Sequence, residues 1–289
     1  MRHSRMWMGA AIVSGAVAAA VGGATYGGRE LLHRQADAAR AVMGKPHGEK
    51  APKADKVYRK RFGDPLDLVM LGDSLAAGLG ADLPGETLGA RLAKGLAKKV
   101  KRSVRLRTVA KVGNHSEELG RQIARLPEDY RPDVAVIVVG GNDITHRKPL
   151  AESIAHLEDA IRQLQDRGAA VVVGTCPDLD MLRAVRQPLR TLGSMASKQL
   201  ATAQRDAALQ LGAHVVVLAQ VAGPFFISHP EEMFSIDQFH PSSLGYRRTA
   251  KAMLPSLLAA LGASEAVPDG HHTPGFHLPR LASGEPPSA

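Results

Sequence analysis

Short apolar runs alternate with longer stretches of helical periodicity between residues 66 and 261. The runs predict strands at 66–71, 105–109, 134–139, 170–174 and 214–218. The longer stretches predict helices at 86–101, 116–126, 149–167, 188–212 and 243–261. Strands that are apolar at every position have both faces covered, as in a parallel sheet between two layers of helices. The sequence therefore predicts the α/β class, as a three-layer α/β/α domain with a mostly parallel five-stranded sheet.

The net charge of +9 is concentrated ahead of the predicted domain. Residues 1–60 contain eleven Lys or Arg and four acidic residues, which account for +7 of this charge, and the other 229 residues carry only +2. A surface that follows a phosphate backbone needs many more basic side chains, so the composition argues against nucleic acid as a partner. The single cysteine, Cys176, excludes an internal disulfide and a cysteine-based zinc site.

An uncharged stretch of 23 residues runs from Met6 to Gly28 and follows Arg2 and Arg5. At ~1.5 Å per residue, a helix of this length crosses a bilayer. The stretch is longer than the ~7–15-residue core of a signal peptide, which favours a retained anchor over residues 1–28, with a cleaved signal peptide as the alternative. The sequence thus predicts a folded domain outside the cell membrane, either anchored or secreted.

Composition divides the rest of the chain into three parts. Residues 29–60 form a predicted basic linker, helical in pattern at 29–43 and polar with proline at 44–56. The predicted domain occupies residues 61–262. Residues 263–289 are rich in Pro, Gly, Ser and His and contain few large apolar residues, which predicts a disordered tail.

Two blocks of sequence contain the side chains of a serine-nucleophile site. Gly72-Asp73-Ser74-Leu75 directly follows the first predicted strand, and Asp237-Gln238-Phe239-His240 precedes the last predicted helix. A serine hydroxyl is a weak nucleophile unless a base takes its proton, and a third group must hold that base in the right tautomer. Ser74, His240 and Asp237 can supply these three catalytic roles. A strand followed at once by a small-residue turn also places the hydroxyl at the carboxyl edge of the sheet.

Two further blocks, Gly113-Asn114 and Gly140-Gly141-Asn142-Asp143, lie between these two in the chain. With all four in this order, the chain resembles the SGNH, or GDSL, hydrolases, a family named for its Ser, Gly, Asn and His. Each block is weak alone, but the ordered set is specific, and the resemblance covers roughly residues 65–260. It implies a flavodoxin-like SGNH hydrolase fold and a serine hydrolase that acts on ester bonds.

The resemblance also implies an oxyanion hole made of the backbone N–H groups of Ser74 and Gly113 and the side-chain amide of Asn142. Fixed donors aimed at the developing negative charge are usually the largest single contribution to such catalysis. A residue without a Cβ at position 113 lets the substrate approach the backbone closely.

Two more residues are candidates for substrate binding. Phe239 belongs to a set of four Phe residues in the segment before His240, which fits an apolar wall for an acyl chain or ordinary loop packing. His115 directly follows Gly113-Asn114 and fits either a pocket lining or an exposed loop. The predicted chemistry requires no metal and no organic cofactor, so we expect none.

Together these features predict an exported serine esterase that hydrolyses carboxylic esters, of lipid or acylated-glycan type, through an acyl-enzyme on Ser74. The expected partners are a small-molecule, lipid or glycan ester and, through the N-terminal segment, the membrane. An acyltransferase that uses the same site and a non-catalytic surface binding domain are the alternatives. A dinucleotide-binding domain is disfavoured, because no Gly-x-Gly-x-x-Gly run follows the first strand.

Overall fold

The computed structural model describes residues 27–44, 46–48, 50–264 and 266–274. Its strands are β1 (Val57–Tyr58), β2 (Pro65–Gly72), β3 (Ser103–Thr108), β4 (Val134–Val138), β5 (Ala170–Gly174), β6 (His214–Val216) and β7 (His271–His272). Its helices are α1 (residues 27–43), α2 (Ser74–Ala77), α3 (Leu88–Val100), α4 (Leu119–Ile123), α5 (Gly141–Thr145), α6 (Leu150–Asp166), α7 (Leu189–Gln210), α8 (Leu218–Val221), α9 (Gly223–Ser228), α10 (Pro230–Met233) and α11 (Ser243–Ala260). The predicted strands and helices are all present, and their ends differ from the predictions by at most three residues.

The strands form one sheet in the order β1-β3-β2-β4-β5-β6-β7. The five central strands are parallel, whereas β1 and β7 are antiparallel to their neighbours at the two edges. The predicted parallel sheet is therefore confirmed, but the predicted count of five is wrong, since the described residues contain seven strands. The two additional strands have two residues each, which is too short to produce a periodic signal in the sequence.

Both faces of the sheet are buried by helices. On β2, Leu68 and Met70 belong to a core shared with α3 and α11, whereas Val69 and Leu71 belong to a second core shared with α4 and α6. Each of these four residues is fully buried. Burial of such a side chain stabilises the fold by about 1.5–3 kcal/mol. This two-sided burial is the physical reason for the uninterrupted apolar run in the sequence.

The order of the five parallel strands is that of the flavodoxin-like fold, in which the chain reverses direction across the sheet after its first parallel strand pair. The reversal lies between β2 and β4, which are neighbours. In open parallel sheets, ligands bind in the crevice at the carboxyl ends of the strands on either side of this switch point. β2 leads into Ser74 and β4 leads into Asn142, so both predicted site residues lie at that crevice.

The segment after α11 returns to the sheet, in contrast to the prediction of a disordered tail from residue 263. His271 and His272 pair with β6, and the carbonyl of Gly270 accepts a hydrogen bond of 2.8 Å from the backbone N–H of Val217. The His271 ring is buried, with its Nδ1 atom 2.7 Å from the Ser256 hydroxyl. Backbone pairing at a sheet edge requires little apolar sequence, which explains why composition missed it. Residues 275–289 of the predicted tail lie outside the described part of the chain.

The predicted basic linker, residues 29–60, also contacts the domain in the part that the structure describes. The Gln35 side chain on α1 donates a hydrogen bond of 2.5 Å to the carbonyl of Gln187 and accepts one of 3.1 Å from the Leu189 N–H. Further along, β1 pairs with β3 of the domain, with Val57 opposite Arg105 and the buried Tyr58 opposite Val104. The segment is therefore docked on the domain at α1 and at β1 rather than being a free linker.

Residues 1–26, which hold most of the predicted anchor or signal peptide, lie outside the described part of the chain. Among the described residues, no helix is both long enough and apolar enough to span a membrane.

Candidate active site

Ser74 is presented by a sharp turn between β2 and α2. At the last residue of β2, Gly72, φ is +129° and a Cβ would lie only 1.8 Å from the carbonyl oxygen of Val138, so no other residue fits there. The buried Gln122 side chain holds the Gly72 backbone from both sides, accepting from its N–H at 2.9 Å and donating to its carbonyl at 2.8 Å. Asp73 caps α2 by accepting from the Leu75 N–H at 2.9 Å. Together these contacts place Ser74 at the first position of α2, 8% exposed.

His240 lies between Ser74 and Asp237. Its Nε2 atom is 2.9 Å from the Ser74 hydroxyl oxygen, and its Nδ1 atom is 2.6 Å from Asp237 Oδ2. An ionised carboxylate only accepts hydrogen bonds, so the proton resides on Nδ1 and leaves Nε2 free to accept from Ser74. The structure thus brings together three side chains that are up to 166 positions apart in the sequence.

The Asp237 carboxylate is wrapped by its own loop. Its Oδ1 atom accepts from the Ser235 hydroxyl at 2.7 Å, from the Phe239 N–H at 3.0 Å and from the His240 N–H at 2.9 Å. Burial favours the neutral form of Asp237, but the hydrogen bonds from His240, Ser235 and Phe239 outweigh burial and hold the pKa of Asp237 well below its ordinary value. Asp237 is therefore a permanent anion beside His240.

Asn142 lies on α5, one turn beyond the end of β4. Its side-chain Nδ2 donates a hydrogen bond of 2.9 Å to the carbonyl of Asn114, which connects α5 to the Gly113-Asn114 loop. An amide nitrogen carries two hydrogens, so the second one remains available to a ligand. Asn142 and Ser74 line the same cavity, as the sequence predicted for partners in an oxyanion hole.

Gly113 is the third residue predicted for the oxyanion hole, and it precedes the Asn114 carbonyl that holds Asn142. Its φ is +82°, and a Cβ built on it would meet open space. Gly113 is not among the described residues that line the Ser74 cavity. The loop of Gly113 therefore reaches the site through the Asn114 carbonyl, but the Gly113 N–H does not lie on the cavity surface.

Two buried carboxylates support this arrangement. Asp143 accepts from the Ser116 N–H at 3.2 Å and from the Ser153 hydroxyl at 2.7 Å, and thereby connects α5 to the turn at Ser116–Glu118 and to α6. Burial raises the pKa of Asp73 to about 6, and the nearby Asp143 adds to this rise. Sequence patterns gave no sign that Asp143 is a buried connector.

The cavity at Ser74 has a volume of about 80 Å³. Its polar surface comes from Ser74, Asn142, His240 and a few others, and the rest of its wall is apolar, with contributions from Leu179, Met181, Leu218, Phe226, Phe234 and Phe239. Phe239 therefore lies where the sequence placed it as a substrate-binding candidate, with its ring edge-on to His240 at 4.8 Å between centroids. The site combines a nucleophile, a base and amide donors with an apolar surface.

His115, the other substrate-binding candidate, does not line this cavity among the described residues. Its backbone N–H donates to Glu118 at 2.6 Å, and its ring packs edge-on against His146 at 4.7 Å. His115 thus begins a helical turn and its side chain packs locally, and its contact with substrate stays a prediction.

One group of potential metal ligands occurs among the described residues. His115, Glu117 and Glu118 place ligand atoms within 4.8 Å of one another. However, Glu117 is paired with Lys148 at 2.9 Å and Glu118 accepts from the His115 backbone, so two of the three side chains already have partners. None of the three lines the Ser74 cavity.

Comparisons with known proteins agree with this geometry. A family model described as GDSL-like lipase/acylhydrolase matches residues 70–248, which span all four sequence blocks. The GDSL-like esterase Rv1075c of Mycobacterium tuberculosis is 38% identical over 287 residues, covering 96% of this chain and 90% of the relative.

Solved structures show the same fold at low sequence identity. The psychrotrophic esterase EstA from Pseudoalteromonas sp. is 20% identical with a TM-score of 0.54 and aligns over 69% of this chain and all of its own. The lipase/acylhydrolase from Enterococcus faecalis is 20% identical with a TM-score of 0.56 and aligns over 70% of this chain and all of its own.

Proposed function

Since this chain belongs to the GDSL-like lipase/acylhydrolase family, and is thus a serine hydrolase that acts on esters, we propose that it cleaves them through an acyl-enzyme on Ser74. The observation that carries this proposal is the unbroken contact from Ser74 Oγ through His240 to Asp237, at 2.9 and 2.6 Å. A serine held in this way is activated at neutral pH because the base adjoins the hydroxyl and the carboxylate fixes the base.

In the first half of the reaction, Ser74 attacks the ester carbonyl while His240 Nε2 takes the hydroxyl proton. The resulting imidazolium is stabilised by the Asp237 anion, which does not itself accept the proton. His240 then gives this proton to the leaving alcohol oxygen as the tetrahedral intermediate collapses. The ester C–O bond breaks, and the acyl group remains on Ser74.

The oxygen of the intermediate gains negative charge and requires fixed donors. The Ser74 N–H and the free Nδ2 hydrogen of Asn142 are suited to this role, since both groups belong to the same cavity lining. One such donor is worth about 2.7–4 kcal/mol in the transition state. The Gly113 N–H, which does not line this cavity, is the third donor that the resemblance to the family implies.

In the second half of the reaction, water attacks the acyl-enzyme with His240 as the base. The carboxylic acid departs and Ser74 recovers its proton. No step requires a metal or an organic cofactor.

The apolar wall formed by Phe226, Phe234 and Phe239 favours an aliphatic acyl group, so we place lipid-type carboxylic esters ahead of acylated glycans as substrates.

Ser74→Ala tests the nucleophile. We expect loss of nearly all ester hydrolysis with an unchanged melting temperature, because only one buried oxygen atom is removed. A fluorophosphonate probe should label the wild-type protein and not the variant. Ser103→Ala is a matched control, as Ser103 is a buried serine at the start of β3 and does not line the cavity. Undiminished hydrolysis by Ser74→Ala would refute the proposal.

We also propose that the catalytic domain acts outside the cell membrane. The support is the uncharged stretch from Met6 to Gly28 with Arg2 and Arg5 ahead of it. Protease added to intact cells should then remove the fluorophosphonate-labelled domain. Labelled protein that resists protease in intact cells and becomes sensitive only after lysis would exclude this location.

A further inference from the structure

A second and larger cavity lies beside the Ser74 cavity, between α1 and the domain. We call it the α1 cavity. Its wall is formed by residues of α1, the segment 144–147, the loop that contains Leu179 and Leu182, the first part of α7, and Phe239. Leu179, Leu182 and Phe239 line both cavities, so the two spaces share a wall made of these side chains.

The two cavities differ strongly in size. The α1 cavity measures about 640 Å³, against about 80 Å³ at Ser74. Sites for drug-sized ligands are typically ~300–1,000 Å³. The space at Ser74 alone therefore accommodates only the reacting centre and a short group, and any longer part of a substrate must extend elsewhere.

The wall of the α1 cavity is mainly aliphatic. It includes Leu32, Ala36 and Met43 from α1 and Ile144, Leu189 and Leu192 from the domain. Two of its cationic side chains are occupied by neighbours, since Arg40 pairs with Asp37 at 2.8 Å and Arg190 contacts Asp180 at 3.5 Å. An aliphatic chain is the ligand that gains most from such a surface, at about 0.8 kcal/mol per buried CH₂.

We propose that the α1 cavity binds the long aliphatic chain of an ester whose carbonyl lies at Ser74. The chain passes the wall formed by Leu179, Leu182 and Phe239, so that α1 becomes part of the substrate-binding site. This inference rests on the proposed esterase function. It makes long-chain, lipid-like esters the preferred substrate class, with the chain on either the acyl or the alcohol side.

The test narrows the α1 cavity from each wall and varies chain length. Ala36→Trp fills it from α1 and Ala196→Trp fills it from α7, whereas Ala38→Trp changes an exposed residue of α1 outside the wall and is the matched control. Each protein is assayed with p-nitrophenyl acetate, p-nitrophenyl dodecanoate and dodecyl acetate. p-Nitrophenyl dodecanoate has its long chain on the acyl side, whereas dodecyl acetate has it on the alcohol side.

We expect both cavity-filling variants to lower kcat/KM for at least one long-chain ester by tenfold or more, with p-nitrophenyl acetate hydrolysis and the melting temperature unchanged. Equal activity of Ala36→Trp, Ala196→Trp and wild type on both long-chain esters would overturn the inference. That outcome leaves the proposed function intact as long as Ser74→Ala remains inactive. Conversely, an active Ser74→Ala protein would refute the proposed function itself.

A different observation, in the segment that follows α1, concerns the Asp237 carboxylate. His47 Nε2 is 3.0 Å from the Ser235 hydroxyl oxygen and 4.0 Å from Asp237 Oδ2. The single hydroxyl proton of Ser235 is donated to Asp237 Oδ1, so the Ser235 oxygen can only accept from His47. The contacts thus run from His47 through Ser235 to Asp237 and on to His240.

We infer that His47 is a positioning residue for the triad. By donating to Ser235 it fixes the hydroxyl rotor that holds Asp237, and Asp237 in turn fixes the His240 ring. The N-terminal segment thereby supplies a side chain that acts on the reaction without touching the substrate. Its loss should lower kcat and leave KM unchanged.

The test compares His47→Ala with His47→Gln, whose amide can donate at similar reach. The loss of one hydrogen bond predicts a fall in kcat of about fivefold for His47→Ala, with most of kcat restored in His47→Gln. In the Ser235→Ala background, His47→Ala should have no further effect, because the intermediary is gone. His156→Ala, an exposed histidine on α6, is the control. Wild-type kcat for His47→Ala, or a full additional loss in the Ser235→Ala background, would overturn the assignment.

Discussion

At the scale of single residues, the Asp237 carboxylate carries the most demanding role. It accepts four hydrogen bonds, one of them from His240 Nδ1 at 2.6 Å. In Asp237→Asn, the new amide can donate to Nδ1, which favours the tautomer with the proton on Nε2. That tautomer cannot accept the Ser74 proton, so kcat should fall roughly 10²- to 10⁴-fold with KM little changed.

Steady-state kinetics with a short ester measures this effect. Asp166→Asn, which alters an exposed carboxylate at the end of α6, should retain wild-type kcat. An Asp237→Asn protein with kcat within threefold of wild type would show that Asp237 does not set the tautomer of His240.

Asp73 provides a prediction on stability. Burial raises its pKa from its ordinary 3.8 to about 6, so the folded state holds this proton more tightly than the unfolded state does. The stability that Asp73 contributes is fully present below about pH 4 and is lost as pH rises through 6. The difference of about two pKa units corresponds to about 3 kcal/mol.

Asp73→Asn keeps a side chain that caps α2 equally well and removes the charge. Its free energy of unfolding, measured in urea, should exceed that of wild type at pH 8 by up to about 3 kcal/mol and match it at pH 4. A gain of the same size at both pH values would mean that ionisation of Asp73 is not the cause.

The residues that meet at the site could be predicted where they belong to a short sequence motif. Ser74, His240 and Asp237 were found because three chemical roles require three residue types, and Asn142 because a family resemblance supplied it. Gln122 and His47 could not be found in this way. Each acts through a contact with residues 50 or 188 positions away, and no local pattern marks such a contact.

At the scale of secondary-structure elements, the turn between β2 and α2 depends on a residue of α4. Gln122 makes two hydrogen bonds to the Gly72 backbone in a fully buried place. Gln122→Leu has similar volume but leaves the Gly72 N–H without a partner and its carbonyl with only the Lys111 N–H at 3.2 Å. At about 1–3 kcal/mol for a buried orphan group, the free energy of unfolding should fall by about 1–3 kcal/mol.

The same variant should lower kcat, because Ser74 follows Gly72 by two positions and small displacements of a nucleophile are costly. Gln163→Leu is the control, since the Gln163 amide bonds only to the exposed Asp159 side chain. Urea unfolding and kcat together measure the effect. A Gln122→Leu protein as stable as the Gln163→Leu protein would refute this role.

The predictability of elements follows their length. The parallel strands and the long helices α3, α6, α7 and α11 repeat their apolar pattern often enough to be recognised. The edge strands β1 and β7 and the short helices α8, α9 and α10 contain too few residues for a period to appear. They are formed by tertiary contacts, which a sequence window does not contain.

At the scale of the whole molecule, the sheet order explains why distant motifs meet. β2 and β4 are adjacent although β3 lies between them in the chain, so the turns that follow them share one crevice. Neither composition nor periodicity specifies this order. The resemblance to the SGNH hydrolases did imply it, because that family has a flavodoxin-like fold.

The segment after α11 forms β7, the edge strand at the other end of the sheet from β1. Substitutions at two glycines of this segment can separate the effect of its docking on stability from the effect of backbone strain. Gly270 and Gly262 both have positive φ, at +79° and +66°. A Cβ at Gly270 would lie 2.7 Å from Val221 Cγ1, whereas a Cβ at Gly262 would meet nothing within 4 Å. Alanine at either position should therefore incur the left-handed strain of about 1–2 kcal/mol, but only Gly270→Ala should also force β7 away from α8.

Gly270→Ala should thus lower the free energy of unfolding by about 1–3 kcal/mol more than Gly262→Ala, because overpacking adds to the strain. Both variants should keep wild-type kcat, since neither glycine lines the Ser74 cavity. Urea unfolding of the two proteins beside wild type measures the difference. Equal destabilisation would mean that the contact with Val221 is relieved without cost and that β7 is not held tightly against α8. A larger loss for Gly270→Ala would mean that the polar segment which composition assigned to a disordered tail is a structural edge of the folded domain.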